Sequence, residues 1–197
     1  MRRFVFVGHE LPTTPEFPLD ALASEAGRLD LLARCLLSAF LVSHGLREDV
    51  RAYVVVRDEY VLRFEGAELQ GLHPDERSTA ARVRDAIEAG NDAIGAEELE
   101  SAPGIYATRG DFADALDAVD DGTLVALHED GDSAVDVDPP ADPVFVLSDH
   151  REFTDAEADL LAERADHRLR LGPTALHADD AVAVAHNWLD TEGFTAY

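Results

Sequence analysis

Pro143-Val-Phe-Val-Leu-Ser-Asp-His-Arg-Glu-Phe153 is followed, further along the chain, by Arg168-Leu-Arg-Leu-Gly-Pro-Thr-Ala-Leu-His177, and these two stretches decide the fold. Each begins with a short apolar run that predicts a buried strand, at residues 144–147 and 168–171. Each run enters a loop of small and polar residues, and each loop opens a helix, predicted over 155–164 and 178–189. Thr154 with Glu157 three residues on is a capping-box pattern that places the start of the first helix. Strand, loop and helix in this succession build ligand pockets in α/β proteins, because successive loops converge at the carboxyl ends of the strands.

The same alternation extends back to the start of the chain. Strands are predicted at 3–8, 50–56, 60–64, 104–108 and 123–127. Residues 27–44 read as a helix with Leu29, Leu32, Leu36, Ala39 and Phe40 on its apolar face. Pro74-Asp-Glu-Arg-Ser78 starts another, with Ala80, Val83 and Ile87 on one side and Gly90 as its stop, and a further helix is predicted over 112–119. Strands alternating with helices predict an α/β fold: a mostly parallel sheet with helices on both faces, in a single domain over 1–197.

The chain has 197 residues, 46% of them hydrophobic, enough to bury a sizeable core. No apolar run approaches the roughly 18 residues that a membrane span needs, and the apolar stretch after Arg2 and Arg3 is too short for a signal-peptide core. A cytoplasmic protein with no membrane partner is expected. The formal net charge is −25, and all 16 basic residues are arginine. Acidic residues spread along the whole chain suit a halophile's cytoplasm, where salt screens charge over only about 3 Å at molar strength. In such salt an acidic protein still binds RNA, provided its arginines are locally concentrated. The single Cys35 excludes an intramolecular disulfide and lies among Leu32, Leu36 and Ala39, where an inert core thiol is expected.

No G-x-G-x-x-G, phosphate-binding P-loop or G-x-S-x-G elbow is present, and none of the eight histidines has zinc spacing, so no metal is expected. Three strand-end segments remain: Leu127-His-Glu-Asp-Gly131, Leu147-Ser-Asp-His150 and Leu169 through Leu176. Small residues there let backbone amides approach a ligand. From spacing alone they are equally ordinary turns, with Ser148, Asp149 and Thr174 serving as helix caps. The segment Gly66-Ala-Glu-Leu-Gln-Gly-Leu-His-Pro-Asp-Glu-Arg-Ser-Thr-Ala-Ala-Arg82 leaves a similar choice. Arg77 beside a helix N-terminus suits a phosphate, and Asp75 or Glu76 suits a proton acceptor, while Asp75 or Ser78 also suits a plain cap.

"FVLSDH" followed by "LRLGPTALHADD", with "PDERS" and "VAHNWLD", resembles the SPOUT RNA methyltransferases, and within them the archaeal tRNA pseudouridine-54 N1-methyltransferase family. The resemblance covers the whole chain. It implies a SPOUT fold whose C-terminal segment threads a trefoil knot, a homodimer, tRNA as partner and S-adenosyl-L-methionine as cofactor. By the same resemblance Leu127, Ser148, Leu169, Leu171, Gly172, Leu176 and Ala181 line the cofactor pocket. Relatives usually have glycine where Ser148 stands and often cysteine where Ala181 stands. Asp75, Glu76 and Arg77 fall near the reacting atoms, and Arg28, Arg34, Arg77 and Arg82 form an RNA-facing set. Val182, Ala185 and Leu189 with Trp188 offer either a dimer surface or a cover for the sheet. A related enzyme acting on ribosomal RNA pseudouridine, and a noncatalytic cofactor-binding module, are the alternatives.

Overall fold

The computed structural model describes residues 1–95 and 97–196. Its elements run β1 (Arg2–Gly8), α1 (Leu22–Glu25), α2 (Leu29–Phe40), β2 (Leu41–Val42), β3 (Gly45–Leu46), β4 (Val50–Val56), β5 (Tyr60–Glu65) and α3 (Glu76–Asp92). The second half gives β6 (Leu99–Ala102), β7 (Ile105–Arg109), α4 (Phe112–Asp117), β8 (Thr123–Ser133), β9 (Pro143–Ser148), α5 (Asp155–Arg164), β10 (His167–Arg170) and α6 (Ala178–Asp190).

One eight-stranded sheet carries the fold, in the order β10-β8-β9-β1-β4-β5-β7-β6. From β10 to β4 every pairing is parallel, and β5, β7 and β6 close one edge antiparallel. Alternation along the strands separates two cores. Phe4, Phe6, Phe145 and Phe64 face Leu32 and Leu36 of α2, Val83 and Ile87 of α3, and Trp188 of α6. Val5, Val7, Val144 and Val146 face Phe112 and Leu116 of α4 and Leu161 of α5. Both faces are therefore covered, which is why the central strands read as continuous apolar runs.

Central β1 pairs with β9. After β1 the chain passes through α1 to α2 on one face, whereas α5 follows β9 across the other. Two adjacent parallel strands whose connections diverge form a topological switch point, where α/β sheets open a crevice.

Two local expectations change, and one open choice is decided. The helix predicted over 27–44 spans Leu29–Phe40, because Gly27 and Arg28 both adopt left-handed backbone and Leu41 turns into the β2–β3 hairpin. Gly90 does not stop α3, which continues to Asp92; a Cβ there would lie 2.9 Å from the Tyr60 ring, so the glycine permits close packing instead. The α6 stripe covers the sheet: Val182, Ala185 and Trp188 are fully buried within the chain, and Trp188 Nε1 donates to the Ala134 carbonyl at 3.1 Å. Cys35 is buried in the core, and burial pushes its thiol pKa well up, which makes it inert.

Candidate active site between β8 and the carboxyl ends of β9 and β10

The middle of β8 and the loops after β9 and β10 form a cleft of about 220 Å³; the strand expected to end at 127 runs on to Ser133, so Leu127 to Gly131 lie within β8. Leu127, Ser148, Leu169, Leu171, Gly172, Leu176 and Ala181 all line it, brought together from four segments of the chain. Leu147, Phe153 and the leucines make its walls apolar, while Ser148, Asp149, Thr174, Arg151 and Arg170 supply polar groups at its edge.

The backbone is unusually free here. Outside the strand ladders, residues 172–176 make no backbone hydrogen bond among the described residues, although four of the five keep an N–H. Across β8, the β10 register jumps from Ala126 opposite Arg168 to Asp132 opposite Leu169, so Leu127 to Gly131 have no partner in β10. Gly131 is required at this jump, since a Cβ on it would meet the Leu169 backbone at 2.5 Å. Unpaired amides and carbonyls need a partner. Beside apolar walls they suit a flat heterocycle whose faces are oily and whose edge bears donors and acceptors. Glu129 and Glu152 on the rim suit a cationic group on the same ligand. S-adenosylmethionine combines an adenine, a sulfonium and an ammonium, and the residues present fit it.

Sequence reasoning overlooked a buried cluster directly behind this cleft. His9 follows β1 and Asp149 follows β9. His9 Nδ1 lies 3.0 Å from Asp149 Oδ1, and His9 Nε2 lies 3.0 Å from Glu157 Oε2 on α5. The His9 backbone amide also donates to Asp149 Oδ2 at 2.8 Å. Hydrogen bonding to Asp149 and then to Glu157 outweighs burial and raises the His9 pKa to about 9. Burial works against the Asp149 charge, yet bonds from His9 and from the Arg151 and His9 amides hold that carboxyl below its usual range. The only sequence signals were the position of His9 one residue past a strand and the capping-box role of Glu157, which the structure retains.

The other predicted residues sit on the first halves of α2 and α3 and at their N-caps. Asp75 is the N-cap of α3: Oδ1 accepts from the Ser78 amide at 2.8 Å and Oδ2 from the Ser78 hydroxyl at 2.7 Å. These bonds hold its carboxyl below the usual range although it is exposed. Arg34 joins this segment to the cleft, because it bonds Glu76 at 3.3 Å and Asp179, in the first turn of α6, at 2.9 Å. Arg28 is forked onto Asp30 at 3.0 and 3.2 Å. Within the predicted RNA-facing set, Arg28 and Arg34 are thus engaged inside the chain. Arg77, which is exposed, and Arg82 make no ion pair among the described residues.

Fold and cleft together define an α/β protein with a cofactor crevice at the carboxyl ends of parallel strands. The chain belongs to the family of putative SAM-dependent RNA methyltransferases, whose profile matches residues 1–194. It is 59% identical to the tRNA (pseudouridine(54)-N(1))-methyltransferase of Haloarcula marismortui, over the full length of both chains. The protein of the same name from Haloferax volcanii is 57% identical, again over the full length of both. Among solved structures, Archaeoglobus fulgidus Nep1 bound to S-adenosylhomocysteine superposes with a TM-score of 0.59 at 14% identity, covering 96% of this chain and 95% of that one. At that identity the likeness establishes the shared fold.

Proposed function

We infer that this protein is an S-adenosyl-L-methionine-dependent methyltransferase that methylates N1 of pseudouridine at position 54 of tRNA. The observation that carries the reading is the full-length identity of 59% to a relative of that name, joined to a strand-end cleft whose free backbone groups suit the cofactor. The whole chain acts as one unit, a reading supported by its single continuous main sheet and the match over residues 1–194.

The cofactor supplies, when bound, an electrophilic methyl group on sulfonium sulfur. The chain's residues must place the acceptor nitrogen in line with it and take up a proton. Pseudouridine is joined to its ribose through carbon, so its N1 bears an N–H. With the cofactor bound, its methyl would pass from sulfur to N1, and a base held by the chain would take up the N1 proton. Asp75 is the first candidate base and Glu76 the second, with Arg77 positioned to hold a phosphate nearby. Alignment in favourable cases supplies about 7–11 kcal/mol of the acceleration, and a placed base adds about 10²–10⁴-fold.

Arg77 and Arg82, with no carboxylate partner among the described residues, support an RNA-facing surface along the first half of α3. A trefoil knot is part of the proposal. It is supported by the β8 excursion packed against β10 and by the segment after β8 lying over α6, where Ala134 meets Trp188 and Pro139 meets Gly193. A homodimer, cytoplasmic and in high salt, completes the reading.

The test is methyl incorporation from labelled S-adenosylmethionine in molar KCl, with matched tRNAs carrying pseudouridine or uridine at position 54. Transfer to the pseudouridine form alone, with the label on N1, is expected. Equal transfer to both, or none to either from protein that binds the cofactor, defeats the proposal.

A further inference from the structure

The end of β9 and the loop after it, residues 148–153, supply one wall of the cleft, and this segment is held from behind as well as by the Ser148 hydroxyl, which donates to the Arg151 carbonyl. Asp149 is the hinge of that hold. Its side chain is 1% exposed, its Oδ1 accepts from the Arg151 amide at 2.8 Å, and its own amide donates to the Val7 carbonyl at 3.1 Å. His9 lies between Asp149 and Glu157 with a carboxylate oxygen 3.0 Å from each ring nitrogen. A neutral imidazole has one N–H and one acceptor nitrogen, so it satisfies only one carboxylate and presents a lone pair to the other. Both contacts are hydrogen bonds only when both nitrogens carry protons. Glu157 in turn accepts from the Thr154 amide at 2.7 Å, which joins the far end of the loop to α5.

We propose that His9, as an imidazolium, is a positioning residue for cofactor binding: it clamps the loop 148–153 between β1 and α5 and so keeps that wall of the cleft in place. The inference rests on the assignment of the cleft to S-adenosylmethionine. His9 itself does not line the cleft, and it acts through Asp149, which does.

The surrounding charges favour that state. Asp149 and Glu157 face the ring directly. Glu10, next in the chain, is paired with His150 at 3.2 Å and with Arg151, which neutralises it locally. His150 also lies 3.6 Å from Asp149. Across the loop, Arg28 on the α2 side feels the Asp149 charge, and Arg57 on the β4–β5 turn donates its amide to the Gly8 carbonyl at 3.0 Å. Two buried carboxylates against one imidazole make loss of its proton costly. The raised pKa of about 9 follows from that geometry. Above it the clamp loses one of its two bonds, and two carboxylates then repel across an uncharged ring.

The experiment compares the dissociation constant of S-adenosylhomocysteine for the full-length wild type and for His9→Gln, by calorimetry in molar KCl, from about pH 7 to about pH 10. The ligand's own amine titrates identically in both series and cancels in the ratio. Binding to His9→Gln is expected to be about tenfold weaker near neutrality, equal to about 1.4 kcal/mol, with the ratio falling toward one at the alkaline end. Circular dichroism shows whether His9→Gln is folded. Glu157→Gln, which keeps a capping side chain, removes one carboxylate and is expected to move the alkaline midpoint downward whether or not His9→Gln folds. A ratio that stays constant across the range, or a midpoint unmoved by Glu157→Gln, overturns the inference and leaves the cofactor assignment standing. A wild type that binds no S-adenosylhomocysteine at any pH overturns both.

Discussion

Arg34 Nε donates to Asp179 Oδ2 at 2.9 Å, and that contact fastens the middle of α2 to the first turn of α6. The same guanidinium reaches Asp30 at 3.2 Å and Glu76 at 3.3 Å, so one side chain links α2, the start of α3 and the cleft. Asp179 depends on it, because its other oxygen, Oδ1, is buried without a partner among the described residues. Arg34 is about one-third exposed, so its pairs are worth less than fully buried ones and more than surface ones. Arg34→Gln is expected to lower the unfolding free energy by about 1–3 kcal/mol in urea titrations at fixed KCl. A change inside the titration error would make the network a surface decoration.

Two histidines give stability opposite dependences on pH. His186 is 3% exposed; burial first, then the charges of Arg47 and Arg2, lowers its pKa to about 4. Arg2 donates to Nδ1 at 3.1 Å, so the neutral ring carries its proton on Nε2, which bonds the Ala39 carbonyl at 3.1 Å. Its folded pKa lies below the unfolded 6.5, so its contribution is present above 6.5 and lost as pH falls through 4. The loss is at most about 3 kcal/mol. His9 has the reverse sign: its contribution is full below 6.5 and lost as pH rises through about 9. Melting curves against pH should therefore show that His186→Gln flattens the acid limb and His9→Gln the alkaline limb. A variant that alters the wrong limb contradicts a neutral His186 and a charged His9.

Gly27 has φ +57°, and a Cβ built on it would stand 1.8 Å from the Glu10 carbonyl oxygen. Gly27→Ala adds both left-handed strain and a collision between two backbones that cannot move apart without displacing the β1 loop. A loss above about 2 kcal/mol is expected in the same titrations, with weakened S-adenosylhomocysteine binding because Glu10 adjoins His9. Gly45 makes the useful control: nothing lies within 4 Å of its Cβ position, and Gly45→Ala should be nearly silent.

The strand-end architecture was legible because its signals are local. Apolar runs, small-residue loops and the Thr154–Glu157 box lie within a few residues of one another, and the structure keeps all of them. Identifying the cleft-lining residues needed the family resemblance, since spacing alone left the loops readable as plain turns. The edge strand β6, Leu99–Ala102, was overlooked because its Leu-Glu-Ser-Ala has no alternation and takes its place from pairing with β7. The His9 cluster was hidden for another reason. Its partners lie 140 and 148 residues away in sequence, and only the adjacency of β1 and β9 brings them together. The α6 stripe shows the converse limit: amphipathic spacing reports that a face is buried, not what buries it.

Asp75 has two readings with separable consequences. As an N-cap it accepts twice from Ser78, and as a base it must accept a proton from N1 of pseudouridine. Asn is as good a cap as Asp, and its side-chain oxygen can keep the bond to the Ser78 amide. Asp75→Asn should therefore leave melting and S-adenosylhomocysteine binding unchanged. An amide cannot take up the proton, so turnover on pseudouridine-54 tRNA should fall by about 10²–10⁴-fold. The residual rate should no longer follow the ionisation of a carboxylate already held below its usual pKa range. Asp75→Ala adds the lost cap, so it should lose stability as well. If Asp75→Asn keeps wild-type turnover while Asp75→Ala only melts earlier, Asp75 is a cap alone and the same comparison passes to Glu76. There Glu76→Gln keeps an oxygen for the 3.3 Å contact from Arg34 while removing the charge.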